Sequence, residues 1–392
     1  MHRYDYLIVG GGMTADAAAR GIRELDASGT IGIISSEIDA PYSRPPLSKA
    51  LWKGDEESTV WRGTDSVGVG MHLGRTAVSA DASSRVVSDD QGDEYGYHSL
   101  LLATGGSPRA FPFPAEGVIY YRTFRDYRAL RELAGQRERF AVIGGGFIGS
   151  EVAAALRMNG RQVVMIMPEQ GIGARVFPSD LSQNVLSYYR EKGVDVRPGT
   201  KVTSIDVSGN GFRVGLAAGE PVTVDGVVAG LGIVPNTALG TSLGLTTTDG
   251  IDVDERLRTS ANGVFAAGDV ARFEYKALGR RLRVEHEDNA LTMGHAAGRS
   301  MAGDDAPYDH LPFFYSDLFD LGYEAVGLLD SRLEPFADWA EPYRKGVVYY
   351  LSDGRVRGVL LWNVWGQVDA ARALIAEPGP HGPGTLKGRI TG

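Results

Sequence analysis

Two glycine-rich stretches carry the chemistry that this sequence announces. The first places Gly10, Gly12 and Ala15 behind a β-rich run at 4–9, and the second places Gly144, Gly146 and Gly149 behind a run at 140–143. In each, apolar residues break into small ones and then turn helical. The first glycine lets the chain turn, the second admits a pyrophosphate against the backbone, and the third position lets helix and strand pack closely. Free N–H groups and the positive end of the helix dipole then face the phosphates. Each stretch also has an acid where a ribose hydroxyl needs an acceptor. Glu37 lies twenty-two residues past Ala15, and Glu169 twenty residues past Gly149. One such motif is a weak signal, because glycine-rich turns serve many α/β domains. Two copies with two acids imply two dinucleotide sites, and hence two cofactors that exchange electrons.

Composition narrows what those sites can do. The 392 residues suffice for two or three domains, and the 53 glycines are nearly twice the average share. There is no cysteine, which removes structural disulfides, thiolate-bound metals and clusters, and any redox-active dithiol. The seven histidines show no ligand spacing, so no metal site is expected. With a formal charge of −9 and no long basic run, neither nucleic acid nor an anionic membrane is an expected partner. No apolar run approaches the roughly 20 residues that span a bilayer. The first strand begins almost at Met1 with no signal segment before it, so a cytoplasmic location is expected.

The elements that must position these residues follow in order. A first βαβ unit occupies 1–37 and is followed by Pro41-Tyr-Ser-Arg-Pro-Pro-Leu-Ser-Lys49. Three prolines stiffen that loop and lower the entropy lost on placing Arg44 and Lys49 against an anion; an exposed linker with solvated charges is the plainer alternative. Strands are expected at 84–88 and 97–103, the latter running into Thr104-Gly-Gly106, and helices at 124–133 and 181–192. The second fingerprint helix is expected over 151–158, a hairpin at Gly209-Asn-Gly211, and one strand at 222–229. Asp269 follows Val264-Phe-Ala-Ala-Gly and is either a helix N-cap or a ligand to a cofactor hydroxyl. Residues 285–300 alternate polar and small types in a helical pattern. Beyond 311, three strands (323–329, 345–351, 356–362) and a helix at 369–376 make an α+β module, and the Pro/Gly-rich tail from 378 is expected to be mobile.

Together these segments resemble the two-dinucleotide flavoprotein reductases, most closely the apoptosis-inducing factor branch beside the flavin-dependent ferredoxin and rubredoxin reductases. The likeness runs from Asp5 to Ile375. It rests on the 41–49 loop, Gly144-Gly-Gly-Phe-Ile-Gly-Ser-Glu151, Val264-Phe-Ala-Ala-Gly-Asp269, Arg283-Val-Glu-His286, Tyr315-Ser-Asp-Leu318, Gly322-Tyr-Glu-Ala325 and Leu361-Trp-Asn363. It implies an α/β fold with two Rossmann-like domains in a glutathione-reductase-like arrangement and a C-terminal α+β domain. The FAD domain would comprise 1–122 and 242–310, the NAD domain 123–241, and the C-terminal domain 311–392.

The resemblance also implies site residues. FAD would meet Gly10, Gly12, Thr14 and Ala15 at its phosphates and Glu37 at its ribose, with Arg44, Lys49, Ala77 and Arg122 adding contacts. Asp269 would hold the ribityl or pyrophosphate part, and His286 and Glu287 would lie beside the isoalloxazine. NAD would meet Gly144, Gly146, Phe147, Ile148 and Glu169, with Arg175, Gly232, Glu285, Glu324 and Asn363 nearby. Lys49 would pair with Glu151 close to the flavin. Hydride transfer from NADH to flavin N5 needs stacked rings more than an acid or base. Phe147 would shield the flavin until nicotinamide displaces it, and Tyr315 would stack on the other side. Taken alone, both read as core aromatics. A ribose-binding Glu169 would repel a 2′-phosphate, so NADH is expected over NADPH, although Arg175 lies only six residues on.

Three departures from that branch matter. Tyr315 stands where apoptosis-inducing factor has tryptophan, which weakens the expectation of charge-transfer stacking. The connection from 333 to 345 is too short for the long regulatory insertion. The acidic charge gives no ground for DNA binding. The leading expectation is an FAD-dependent NADH oxidoreductase passing electrons to a small molecule or a ferredoxin-type protein. One alternative is a ferredoxin or rubredoxin reductase feeding an oxygenase. Another is a slow flavoprotein whose NADH-reduced form acts as a binding or dimerising partner, and a homodimer remains open.

Overall fold

The computed structural model describes residues 1–391. The chain forms two compact units: 1–44 with 57–107 and 234–312, and 45–56 with 108–233 and 313–392.

In the first unit, strand His2–Val9 pairs in parallel with Ile31–Ser35 on one side and Glu94–Leu102 on the other. Val69–Leu73 extends the sheet past Ile31–Ser35, and Val264–Ala266 pairs in parallel with Glu94–Leu102. Leu7, Ile8, Ile33, Leu100 and Leu101 are fully buried. A parallel sheet covered on both faces explains why these strands read as continuous apolar runs. Antiparallel strands Val86–Asp89 and Ala77–Asp81 complete the sheet beyond Glu94–Leu102.

Helices Met13–Leu25 and Glu287–Met301 meet backbone to backbone. A Cβ on Gly298 would lie 2.0 Å from the Ala18 carbonyl oxygen, and one on Gly294 2.5 Å from that of Thr14. The small residues of 285–300 are thus a close-packing face that fixes the first fingerprint helix.

The second unit holds a parallel sheet in the order Asp195–Arg197, Gln162–Ile166, Arg139–Ile143, Gly226–Ala229, Ile119–Tyr120. Its helices are Phe124–Gln136, Phe147–Met158 and Ser179–Glu191. The second fingerprint helix therefore starts four residues earlier than expected, directly after Gly146. The single strand expected at 222–229 is two, Val222–Val224 and Gly226–Ala229. Asp225 separates them: its carboxylate accepts the N–H groups of Glu138 and Arg139, which turns the chain out of one ladder and into another. Val222–Val224 joins the hairpin Val202–Ser208 and Gly211–Leu216 in a small antiparallel sheet. Ile205, Val214 and Val222 from that sheet pack with Ala141, Ile143, Val164 and Ile166 in one buried cluster.

The C-terminal sheet has five antiparallel strands where three were expected: Phe313–Leu318, Leu321–Gly327, Arg355–Trp362, Lys345–Ser352 and Glu334–Glu341, in that spatial order. Glu334–Glu341 is an edge strand carrying Pro335 and little buried surface, so it lacks the apolar alternation of an inner strand. Helix Val368–Ala376 follows. The tail past 378, expected to be mobile, is instead placed on this sheet. Leu386 and Ile390 are buried, the Ile390 N–H donates to the Tyr349 hydroxyl, and the His381 N–H donates to Gly354 O. Two apolar anchors outweigh the turn-forming composition between them. Among the described residues, no helix is long and apolar enough to cross a membrane, and no group of His, Asp and Glu is arranged to hold a metal ion.

Candidate functional site

In the first unit the sheet delivers the chain into Gly10 at φ +119, where a Cβ would lie 2.1 Å from the Ala103 carbonyl oxygen. No side chain larger than glycine fits there. Gly12 is the N-cap of Met13–Leu25 and makes no side-chain cap, so the helix N-terminus is left to backbone N–H groups. A Cβ on Gly12 would meet only the Arg44 guanidinium, at 3.9 Å. That guanidinium also donates to Glu37 Oε1 at 2.5 Å, while the Tyr42 hydroxyl donates to Glu37 Oε2 at 2.6 Å. Arg44 thus joins the helix N-cap of the motif to the acid at the end of its βαβ unit.

Thr14 and Ala15 are buried in the helix, and a Cβ on Gly268 would lie 2.3 Å from Thr14 Oγ1. Asp269, next along, lies inside the short turn Gly268–Val270 whose N-cap is Ala267, so the N-cap alternative is discarded. Its charge acts on both Arg44 and His286. His286 occupies the N-cap position of Glu287–Met301, which puts Glu287 in the first turn. Burial pushes the His286 imidazole down to about 4, against smaller upward pulls from Asp269 and Asp288, so it is neutral at pH 7. Glu285 is paired with Arg283 at 2.6 Å. Ala77 opens the strand Ala77–Asp81, three residues past Gly74, whose N–H donates to Glu37 O at 3.0 Å.

In the second unit the motif recurs with a tighter third position. Gly144 has φ +115, and a Cβ there would lie 2.3 Å from Gly230 O; one on Gly149 would lie 2.1 Å from Gly144 O. Gly230, at the end of Gly226–Ala229, is a close-approach residue that the sequence reading missed. Gly146 is the helix N-cap, and a Cβ there would meet nothing within 4 Å. Phe147 begins the helix with its ring 5.3 Å from that of Phe314, and Ile148 is exposed beside it.

Glu169 accepts from Arg175 at 2.6 Å, yet the Arg175 side chain is 84% exposed. Gly232 has φ +84 and accepts the Arg109 N–H at 2.9 Å. Glu324 stands opposite Tyr315 in the ladder and accepts the Gly366 N–H at 3.0 Å. Asn363 bonds the Gly322 N–H and Arg344 O at 2.8 Å each, so its amide braces a hairpin. Arg122 and Lys49, expected among the FAD contacts, belong to this second unit, and Glu285, expected near NAD, belongs to the first.

The most buried charge in the second unit's motif is Glu151, 4% exposed on the fingerprint helix. Its Oε2 accepts from Ser48 Oγ at 2.5 Å and Lys49 Nζ at 2.7 Å, and its Oε1 from Ser316 Oγ at 2.6 Å. The Lys49 ammonium also lies 5.2 Å from the centre of the Tyr315 ring. The loop carrying Lys49 is held from behind. Trp52 Nε1 donates to Leu47 O at 2.8 Å, and the Tyr121 hydroxyl donates to the same oxygen. Burial first, and then the Glu151 charge, push the Tyr189 and Tyr323 phenols well above their ordinary range. Sequence reasoning found Lys49, Glu151 and Tyr315 but passed over Ser48, Trp52, Tyr121 and Ser316. Ser48 and Ser316 both stand inside segments it had singled out.

The residues present fit two dinucleotides. Each strand-to-helix turn has a glycine N-cap without a side-chain cap, so backbone N–H groups are left for phosphates, and an acid at the end of its βαβ unit. A Cβ on Gly146 would meet nothing within 4 Å and one on Gly12 only the Arg44 guanidinium.

Comparison with known proteins agrees with this geometry. A family profile described as pyridine nucleotide-disulphide oxidoreductase matches residues 4–294, and one described as the C-terminal part of apoptosis-inducing factor, mitochondrion-associated, matches 297–342 and 337–377. The ferredoxin reductase subunit of 5,5'-dehydrodivanillate O-demethylase from Sphingobium sp. is 35% identical, across 96% of this chain and 94% of its own length. Mitochondrial apoptosis-inducing factor 1 of Dictyostelium discoideum is 34% identical, across 96% of this chain and 79% of its own. The structure of the covalent putidaredoxin reductase–putidaredoxin complex matches with a TM-score of 0.90 at 28% identity, covering 98% of this chain and 95% of that one.

Proposed function

The chain belongs to the pyridine nucleotide-disulphide oxidoreductase family, and from that premise we propose that it is an NADH-selective reductase delivering electrons to a ferredoxin-type iron–sulfur protein. Like its family it uses FAD and a nicotinamide dinucleotide. Bound flavin supplies the chemistry of accepting a hydride and releasing electrons singly. The observation that carries the reading is the pair of open glycine N-caps, each with its own acid, in a chain without cysteine. With no dithiol available, electrons leave the flavin without passing through a protein disulfide.

Within this reading, residues 1–122 and 242–310 hold FAD and 123–241 hold the nicotinamide dinucleotide. Gly10, Gly12 and the N–H groups of Met13–Leu25 bind one pyrophosphate, and Arg44 adds a cation to it. Gly144, Gly146 and Phe147–Met158 bind the other. Glu37 and Glu169 accept from ribose hydroxyls, and the charge on Glu169 disfavours a 2′-phosphate. Lys49 and Glu151 set the local charge, while Phe147 and Tyr315 exclude water and align rings for transfer. A ferredoxin-type acceptor is favoured because the Sphingobium relative is a ferredoxin reductase subunit and the putidaredoxin reductase structure was captured with putidaredoxin.

Anaerobic stopped-flow mixing of FAD-loaded protein with NADH or NADPH, followed by a [2Fe–2S] ferredoxin, tests it. Faster bleaching by NADH and subsequent reduction of the iron–sulfur centre are expected. Equal rates with both nucleotides contradict the selectivity, and a ferredoxin that stays oxidised contradicts the acceptor.

A further inference from the structure

Glu151 has two oxygens, and they serve different parts of the chain. Oε2 is taken by Ser48 and Lys49 on the 45–49 loop, whereas Oε1 is taken by Ser316 on strand Phe313–Leu318. Strand alternation places Phe314, Ser316 and Leu318 inward and Tyr315 outward. Ser316 is 1% exposed. It precedes the hairpin at Phe319 and follows the very residue whose ring lies beside Lys49. One carboxylate therefore ties the loop cation to the strand that presents the aromatic ring, and the link on the strand side is a single hydroxyl.

We infer that Ser316 is a positioning residue for the redox site: by holding Glu151 Oε1 it fixes Tyr315 against Lys49 and keeps the Lys49–Glu151 pair in one geometry. The inference deepens the function proposed above and rests on the assignment of Lys49, Glu151 and Tyr315 to that site. Two features separate this role from ordinary packing. A buried carboxylate needs its donors, and each charge-assisted bond is strong because the surroundings are dry. Without Ser316, Oε1 loses its strand-side donor while Oε2 keeps both of its own, so the carboxylate is drawn toward the loop. Tyr315 then loses its fixed distance to the ammonium. Losing Ser48 has a smaller consequence, because Lys49 still holds Oε2.

The test compares Ser316→Ala, Ser316→Thr, Ser48→Ala and Lys49→Met in the FAD-loaded protein. The readouts are the flavin absorption spectrum, its midpoint potential, the thermal midpoint and the rate of reduction by NADH. Ser316→Ala should shift the spectrum and potential and slow reduction by roughly tenfold, the size of one hydrogen bond to a charged group. Threonine, which keeps the hydroxyl, should restore all three, and Ser48→Ala should change them less. A Ser316→Ala protein with the parent spectrum and potential overturns the inference, even if its thermal midpoint falls. So does a threonine variant no closer to the parent than alanine. Lys49→Met separates the two levels. If it alters the flavin while Ser316→Ala does not, only the role of Ser316 fails; if neither does, the underlying site assignment fails with it.

Discussion

The two acids at the ends of the fingerprint units, Glu37 and Glu169, stand in equivalent places and in different surroundings. Glu37 is held by Arg44 and Tyr42 together, and both partners of its ion pair are about four-fifths buried. Glu169 has an arginine too, but Arg175 is almost fully in water. An enclosed pair keeps its strength and its geometry, whereas an exposed one is screened and averages over many rotamers. In the function proposed above, this suits the first motif to a cofactor that stays and the second to a substrate that leaves after each turnover. The first helix is in addition locked backbone to backbone against Glu287–Met301 through Gly294 and Gly298.

The most buried pair sets the upper end of this scale. Lys49→Met strands Glu151 among two hydroxyls, and losing one partner of a buried pair costs roughly 3–5 kcal/mol. Denaturant unfolding should show that loss together with a perturbed flavin spectrum; an unchanged midpoint would mean that the serines alone satisfy the carboxylate.

Arg44→Ala should come next. It removes a charged donor from a largely enclosed acid, worth roughly 1.5–3 kcal/mol, or about ten- to hundredfold in FAD dissociation. Protein that purifies with its full flavin content would remove the distinction between the two motifs.

Acid should also act on the first motif. The folded His286 titrates near 4 against an ordinary 6.5, so the unfolded chain takes up a proton first. The stability that neutral His286 contributes is present at neutral pH and is lost as pH falls from about 6.5 towards about 4. His286→Gln should flatten the pH dependence of stability in that window, and a curve of unaltered slope would show that the imidazole is not the group responsible.

Smaller effects are expected at Glu169 and its exposed partner. Glu169→Ala should raise the KM for NADH by roughly tenfold and narrow the gap to NADPH, as expected for loss of a charged acceptor. Arg175→Ala should change it by no more than about fivefold, since exposed pairs are worth about 0–1 kcal/mol. A larger loss would mean that Arg175 closes over bound nucleotide and that the second motif is less open than its exposure suggests.

Some of this was legible in the residues because the backbone leaves no choice. Gly10 and Gly144 sit at positive φ with a carbonyl where a Cβ would be, so the residue type itself records the turn. Glu37 and Glu169 were singled out by spacing along a βαβ unit of nearly fixed length, and each accepts from an arginine in the structure. The serines were not. Ser48 and Ser316 lie 103 and 165 residues from the carboxylate they bond, and no periodicity connects a loop hydroxyl to a helix so far away. Edge strand Glu334–Glu341 and the packed tail escaped for a related reason. Their places come from what the rest of the sheet leaves uncovered, which short-range pattern does not encode.

The central claim, that one chain seats a flavin and a nicotinamide and moves electrons between them, is tested most directly by an anaerobic titration. Protein loaded with FAD should be bleached completely by about one equivalent of NADH per flavin. A flavin band that stays oxidised under excess NADH, or a chain that takes up no FAD at all, would contradict it.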